Sequence, residues 1–190
     1  MQTLCDNINL LGTYCGVRDI ADLTPACLRE KLGVPQADAM VLFGGSILAG
    51  GDLLARAMKE NVADKYIIVG GEGHTTQTLR DVVHAEIPSL ETDGLPEAEI
   101  FDLYLQSVYG LKADYLECRS TNCGNNITNL LALVEREHIP FSSVILAQDA
   151  TMMRRMDAVL RSEEKGMCSR STSARRFVML LPQFVERHSR

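Results

Sequence analysis

This chain of 190 residues has no tryptophan, only 5% aromatic residues and four histidines. With so few large rings, core volume must come from aliphatic side chains, and the 46% hydrophobic content supplies it. Cys5, Cys15, Cys27, Cys118, Cys123 and Cys168 form no Cys-x-x-Cys pair, and no histidines cluster near them. Zinc-site spacings are therefore absent, and no metal ligand set is expected. Scattered thiols suit the reducing cytoplasm better than a disulfide framework. No stretch reaches the roughly 18 uninterrupted apolar residues of a membrane helix. Residues 1–6 lack the basic start and apolar run of a signal peptide. The expectation is a soluble, cytoplasmic protein without a membrane anchor.

There is no basic excess either. The formal net charge is −6, so the surface as a whole does not attract nucleic acid. Charge is uneven along the chain. Residues 1–153 carry 10 basic and 21 acidic side chains, a net of −11, and residues 154–190 carry 9 and 4, a net of +5. The basic end reads as a solvated face or as a contact for an anionic ligand or the acidic body. Internal repeats, low-complexity tracts and linkers are missing, which leaves one domain over residues 1–190.

What is present is a repeating strand–loop–helix pattern. Residues 3–32 read as two helices. Leu4, Ile8 and Leu11 share one helical face, and the second helix has Thr24 as N-cap, Pro25 at its first position and Gly33 as its stop. Residues 1–35 are expected to form a helical cover on one side of an α/β core over 36–190. Segments at 39–43, 66–69, 143–147 and 177–181 read as strands, and 114–118 is a further strand candidate. Between them lie helical stripes: Leu53, Leu54, Ala57 and Met58; a helix at about 76–86; Ala98, Phe101, Leu105 and Val108; Ile127, Leu130, Leu131 and Val134; and Met152, Met156, Val159 and Leu160. Residues 162–173 read as a polar loop. Short apolar strands alternating with amphipathic helices predict a mostly parallel sheet of about five strands with helices on both faces. Right-handed crossovers place every strand-to-helix loop on one edge, where ligands of such sheets bind.

Four loops fall on that edge. Gly44, Gly45 and Ser46 follow the first strand, where glycines allow close ligand approach or simply a tight turn. Gly70, Gly71, Glu72, Gly73, His74, Thr75 and Thr76 follow the second. Their backbone N–H groups can cradle an anion beside a helix N-terminus. The run lacks the third glycine of a dinucleotide fingerprint and the Gly-Lys-Ser/Thr of a phosphate-binding loop. His74 can donate a hydrogen bond or shuttle a proton, or it is an ordinary loop histidine. Ser120, Thr121, Asn122, Cys123, Gly124, Asn125 and Asn126 precede the cleanest helix. One cap suffices there, and Ser120 or Thr121 can supply it, which leaves Asn122 to face a ligand. Cys123 near the helix end is a candidate nucleophile without an identifiable base. Gln148 and Asp149 open the next helix. Asp149 caps it or holds a ribose-like diol or amine, and Arg154 or Arg155 reaches back to an anion or is solvated. Pro96, Glu97 and Glu99 suit a helix start. No catalytic residue is assigned.

The blocks at 70–76, 120–124 and 148–155, together with Glu97-Ala98 and Glu117, resemble the YdcF branch of the YdcF/SanA/ElyC family, long known as a domain of unknown function. The resemblance covers about residues 39–161. It implies a Rossmann-like three-layer sandwich and a polar pocket built from these loops. It also implies S-adenosylmethionine as ligand, with no established methyl acceptor. The residues expected to bind are Gly44, Gly45, Ser46, Gly70, Gly71, Gly73, His74, Thr75, Glu97, Ser120, Thr121, Asn122, Asn126, Gln148, Asp149 and Arg154. Asn125 stands where the family usually has glutamate. YdcF-like chains also run past the end of this one, so part of a cover over the pocket is expected to be missing. The first functional expectation is a protein that binds a small nucleotide-like molecule. The alternatives are a hydrolase or transferase on a phosphorylated or sugar-linked substrate, using His74, Glu97 and Asp149, and a non-catalytic regulatory protein. The oligomeric state stays open.

Overall fold

A computed structural model describes residues 3–167 and 176–180, with residues 164–167 and 176–180 as backbone only. The elements run α1 (Leu4–Cys15), α2 (Pro25–Leu32), β1 (Ala37–Phe43), α3 (Ala49–Lys59), β2 (Ala63–Val69), α4 (Thr76–Glu86), α5 (Glu97–Tyr109), β3 (Tyr115–Glu117), α6 (Cys123–Arg136), β4 (Ser143–Ala147), α7 (Ala150–Met167) and β5 (Arg176–Leu180). The strands lie in the order β3-β2-β1-β4-β5, and every pair is parallel. Strands β1 to β4 carry the core, and β5 adds along the outer edge of β4.

Alternation along β1 builds two cores. Met40 and Leu42 face one side, where they pack with Leu28, Leu54, Leu79, Ile100, Phe101 and Leu105 from α2 to α5. Ala39, Val41 and Phe43 face the other, with Ile127, Leu130, Met153, Met156 and Leu160 from α6 and α7. A strand covered on both faces needs apolar residues at every position, which is why 39–43 is continuously apolar rather than alternating. The result is a three-layer, Rossmann-like α/β sandwich.

Local signals place several helix ends. The Thr24 side chain accepts from the Cys27 N–H at 3.2 Å, Pro25 occupies the first turn, and Gly33 ends α2 at φ 74°. Two expectations change. Within residues 1–35, α2 and the segment before it, through Ile20 and Leu23, cover the core. Helix α1 packs on α7 but buries none of its own residues, leaving Leu4, Ile8 and Leu11 exposed. Its apolar spacing is helical, but that face stays mostly exposed. The polar stretch from residue 162 does not begin a loop: α7 continues to Met167. Residues 168–173, the rest of that expected loop, lie outside the described residues, as does Leu181, the expected end of the last strand. None of the described helices is long and apolar enough to cross a membrane.

Candidate functional site

The sheet grows from β1 in both directions, to β2 on one side and β4 on the other. The loops after β1 and β4 therefore diverge at a switch point, where a crevice forms. Gln148 spans it. Its Nε2 donates to the Gly44 carbonyl at 2.9 Å, and its Oε1 accepts from the Asp149 N–H at 2.8 Å. Both ends of this buried amide are thus committed to positioning the two loops.

The glycine-rich loop behaves differently from an anion cradle. Gly70 N–H donates to the Glu117 carbonyl at 2.8 Å, Gly71 N–H to Ser120 Oγ at 3.0 Å, and Gly73 N–H to Thr76 Oγ1 at 2.8 Å. These three donors point into the protein, so the glycines' share of the expected cradle is spent internally. Gly71 is required for close approach. A Cβ there would sit 2.0 Å from the Ser120 carbonyl oxygen and 2.8 Å from its nitrogen. A Cβ at Gly73 would meet only the Thr121 carbonyl, at 3.6 Å.

Behind Ser120, the buried Glu117 carboxylate accepts from Arg119 N–H at 2.7 Å, Ser120 N–H at 3.3 Å and Asn129 Nδ2 at 3.1 Å. It fixes the turn that carries Ser120 to Asn122. The helix cap is Asn122, contrary to the expectation that Ser120 or Thr121 would supply it. Asn122 Oδ1 accepts from the Asn125 N–H at 3.1 Å, and its Nδ2 donates to Asn125 Oδ1 at 2.9 Å. Ser120 is occupied by Gly71, and Thr121 Oγ1 donates to Asn125 Oδ1 at 3.0 Å. Asn122 borders the cleft, yet its amide serves the helix first.

Two carboxylates remain partly uncommitted. Glu97 opens α5, and its N–H donates to the Gly71 carbonyl at 3.0 Å. Oε1 accepts from Thr75 Oγ1 and Thr76 Oγ1, each at 3.0 Å. Oε2 lies over Gly44, 2.4 Å from where a Cβ would stand, and has no donor among the described residues. Asp149 caps α7: Oδ1 accepts from the Thr151 N–H at 3.0 Å and from Thr151 Oγ1. Its Oδ2 lies toward Gly45.

These pieces enclose a cleft of about 270 Å³. Fourteen of the sixteen expected binding residues line it: Gly44, Gly45, Ser46, Gly71, Gly73, His74, Thr75, Glu97, Ser120, Thr121, Asn122, Asn126, Gln148 and Asp149. Gly44, Gly71, Glu97, Ser120 and Gln148 form a buried floor, and Gly73, His74, Thr121 and Asn122 an exposed rim. Gly70 and Arg154 do not line it. Gly70 packs against Gly44 and Glu97 behind the floor. Arg154 turns outward, donating from Nε to the Tyr14 carbonyl and stacking 4.3 Å from the Tyr14 ring. Residues at the start of a helix can face either way, and α1 supplies the partner that decides it.

Cys123, Thr151 and Met152 also line the cleft. Burial pushes the Cys123 thiol up against a smaller opposing pull from Arg155. A raised thiol is a poor nucleophile, so covalent chemistry at Cys123 is not supported. No lysine or arginine lines the cleft among the described residues. Nor do they include any group of three metal-ligating side chains. Sequence reasoning missed Arg80, whose Nη2 donates to Glu72 Oε1 at 2.8 Å and to the Leu95 carbonyl at 2.9 Å. It clamps the glycine loop to the segment leading into Glu97. Nothing in local sequence marks an arginine on a helix for that task. No protein-family model matches the sequence.

Proposed function

We propose that this is a YdcF-like protein whose cleft binds S-adenosylmethionine or a similar nucleotide-like molecule. The observation that carries this is the direction of the cleft's polar groups. The three glycines of the 70–73 loop spend their N–H donors internally, no described lysine or arginine lines the walls, and Glu97 and Asp149 each keep one acceptor oxygen toward the glycines. Such a surface accepts hydrogen bonds and positive charge. S-adenosylmethionine offers a ribose diol, two amino groups and a sulfonium. A sugar phosphate offers a dianion, which the two carboxylates repel.

The residues present fit that ligand. Asp149 Oδ2, which lies toward Gly45, is an acceptor for the ribose hydroxyls. The cleft volume falls just below the usual range of roughly 300–1,000 Å³ for small-molecule sites, enough to enclose part of the ligand. When bound, S-adenosylmethionine supplies an electrophilic methyl group. The chain's own part is to bind and orient it.

Calorimetry against S-adenosylmethionine, ADP and glucose 6-phosphate tests the reading. Saturable heat with S-adenosylmethionine, and none with the sugar phosphate, is expected. Tighter binding of the sugar phosphate would overturn it in favour of a hydrolase or transferase of phosphorylated substrates.

A further inference from the structure

We infer that Glu97 determines ligand specificity by supplying the counter-charge for a cationic centre in the ligand. This rests on the proposed S-adenosylmethionine-like reading and adds which group selects and what it selects for.

Glu97 is 8% exposed, so the residue as a whole is more than nine-tenths buried. Buried charges in proteins are paired, because an unpaired one loses its hydration without compensation. The protein gives Glu97 two neutral donors, the hydroxyls of Thr75 and Thr76, and both go to Oε1. They fix the group without cancelling its charge. The helix N-terminus at Glu97 offsets part of that charge. Arg80 of α4, which reaches the adjoining loops, is committed to Glu72 and the Leu95 carbonyl. Among the described residues, Arg80 Nε is the sole fully enclosed side-chain nitrogen or oxygen without a partner. Oε2 is therefore not sealed in: it is open to the cleft that Glu97 lines. A buried carboxylate with one oxygen locked and the other facing a cavity is half of an ion pair, and the ligand is the available other half.

Asp149 makes the comparison. It is only partly buried, and water screens its charge, so it reads hydroxyl geometry more than charge. At Glu97 the lower dielectric makes one unit of ligand charge count. Gly44 belongs to the same device, since any side chain there would strike Oε2.

The test uses two probes that differ by one methyl group and its positive charge, S-adenosylmethionine and the neutral thioether S-adenosylhomocysteine. Calorimetry on the full chain should give the cationic probe about tenfold tighter binding, the usual scale for one charge-assisted contact. In Glu97→Gln, which keeps an oxygen for both threonines, the two should bind alike. In Asp149→Asn the preference should persist. A third probe, the ammonium analogue sinefungin, should bind the unmodified protein nearer to S-adenosylmethionine than to the thioether, which needs no variant. Equal affinity for charged and neutral probes in the unmodified protein, or a preference that survives Glu97→Gln, overturns the inference and leaves the binding site standing. Binding of none of the three overturns the proposed function and this inference with it.

Discussion

Gly71 and Gly73 stand two residues apart in one loop and do opposite things. Gly71 is the seam where the glycine loop meets the backbone of Ser120, with no room for a single carbon. Gly73 stands at the rim with ordinary space around it. The contrast teaches that a glycine cluster after a strand need not be an anion cradle. Here one glycine joins two loops, another leaves the mouth open, and the N–H groups of both serve the protein. What the cleft offers a ligand is the unspent oxygens of Glu97 and Asp149.

The comparison breaks most sharply at Gly71. Gly71→Ala should cost about 3 kcal/mol, the upper end of overpacking, because the added carbon meets backbone rather than a movable side chain. Chemical denaturation would register it as a lower midpoint. Next is the cap. Asn122→Ala should cost about 1 kcal/mol through the lost bond to the Asn125 N–H, with affinity falling only as far as the loop loosens. Native stability with a large loss of affinity would return Asn122 to the ligand. Smallest in stability is Gly73→Val, expected within roughly 0.5 kcal/mol of the parent by thermal melting, while ligand affinity falls. Unchanged affinity would make Gly73 an ordinary turn residue.

A fourth expectation concerns the thiols. Burial, followed by the charges of Glu99 and Glu117, pushes Cys118 up to about 11, and burial raises Cys123 as well. At pH 8 both stay protonated, so iodoacetamide should label them far more slowly than exposed Cys5, as read by mass spectrometry. For Cys118 the rate should climb as pH approaches 11. Rapid labelling of Cys123 at pH 8 would restore it as a candidate nucleophile.

Much of the frame was legible because it rests on near-neighbour physics. Thr24, Pro25 and Gly33 bound α2 through cap chemistry, and the continuous apolar run at 144–147 announces a strand buried on both faces. The loops shared an edge because parallel strands leave no other arrangement. What stayed hidden depends on partners distant in sequence. Ser120, Thr121 and Asn122 are equivalent as caps until Gly71 claims Ser120. Arg154 can turn either way until α1 is placed. The N–H groups of Gly70 and Gly71 look free until Glu117 and Ser120 arrive. Leu4, Ile8 and Leu11 specify a helix but say nothing of what it meets.

The central claim is that one cleft, floored by Gly44, Gly71, Glu97 and Ser120, is where this protein takes its ligand. Backbone amide shifts, followed by NMR during titration with S-adenosylmethionine, test it directly. The account predicts saturable shifts concentrated at residues 44–46, 71–76, 97–98, 120–126 and 148–151, with α1 silent. Shifts absent from these loops, or gathered instead along the groove of Arg119, Asn129 and Arg136 behind the turn, would contradict it.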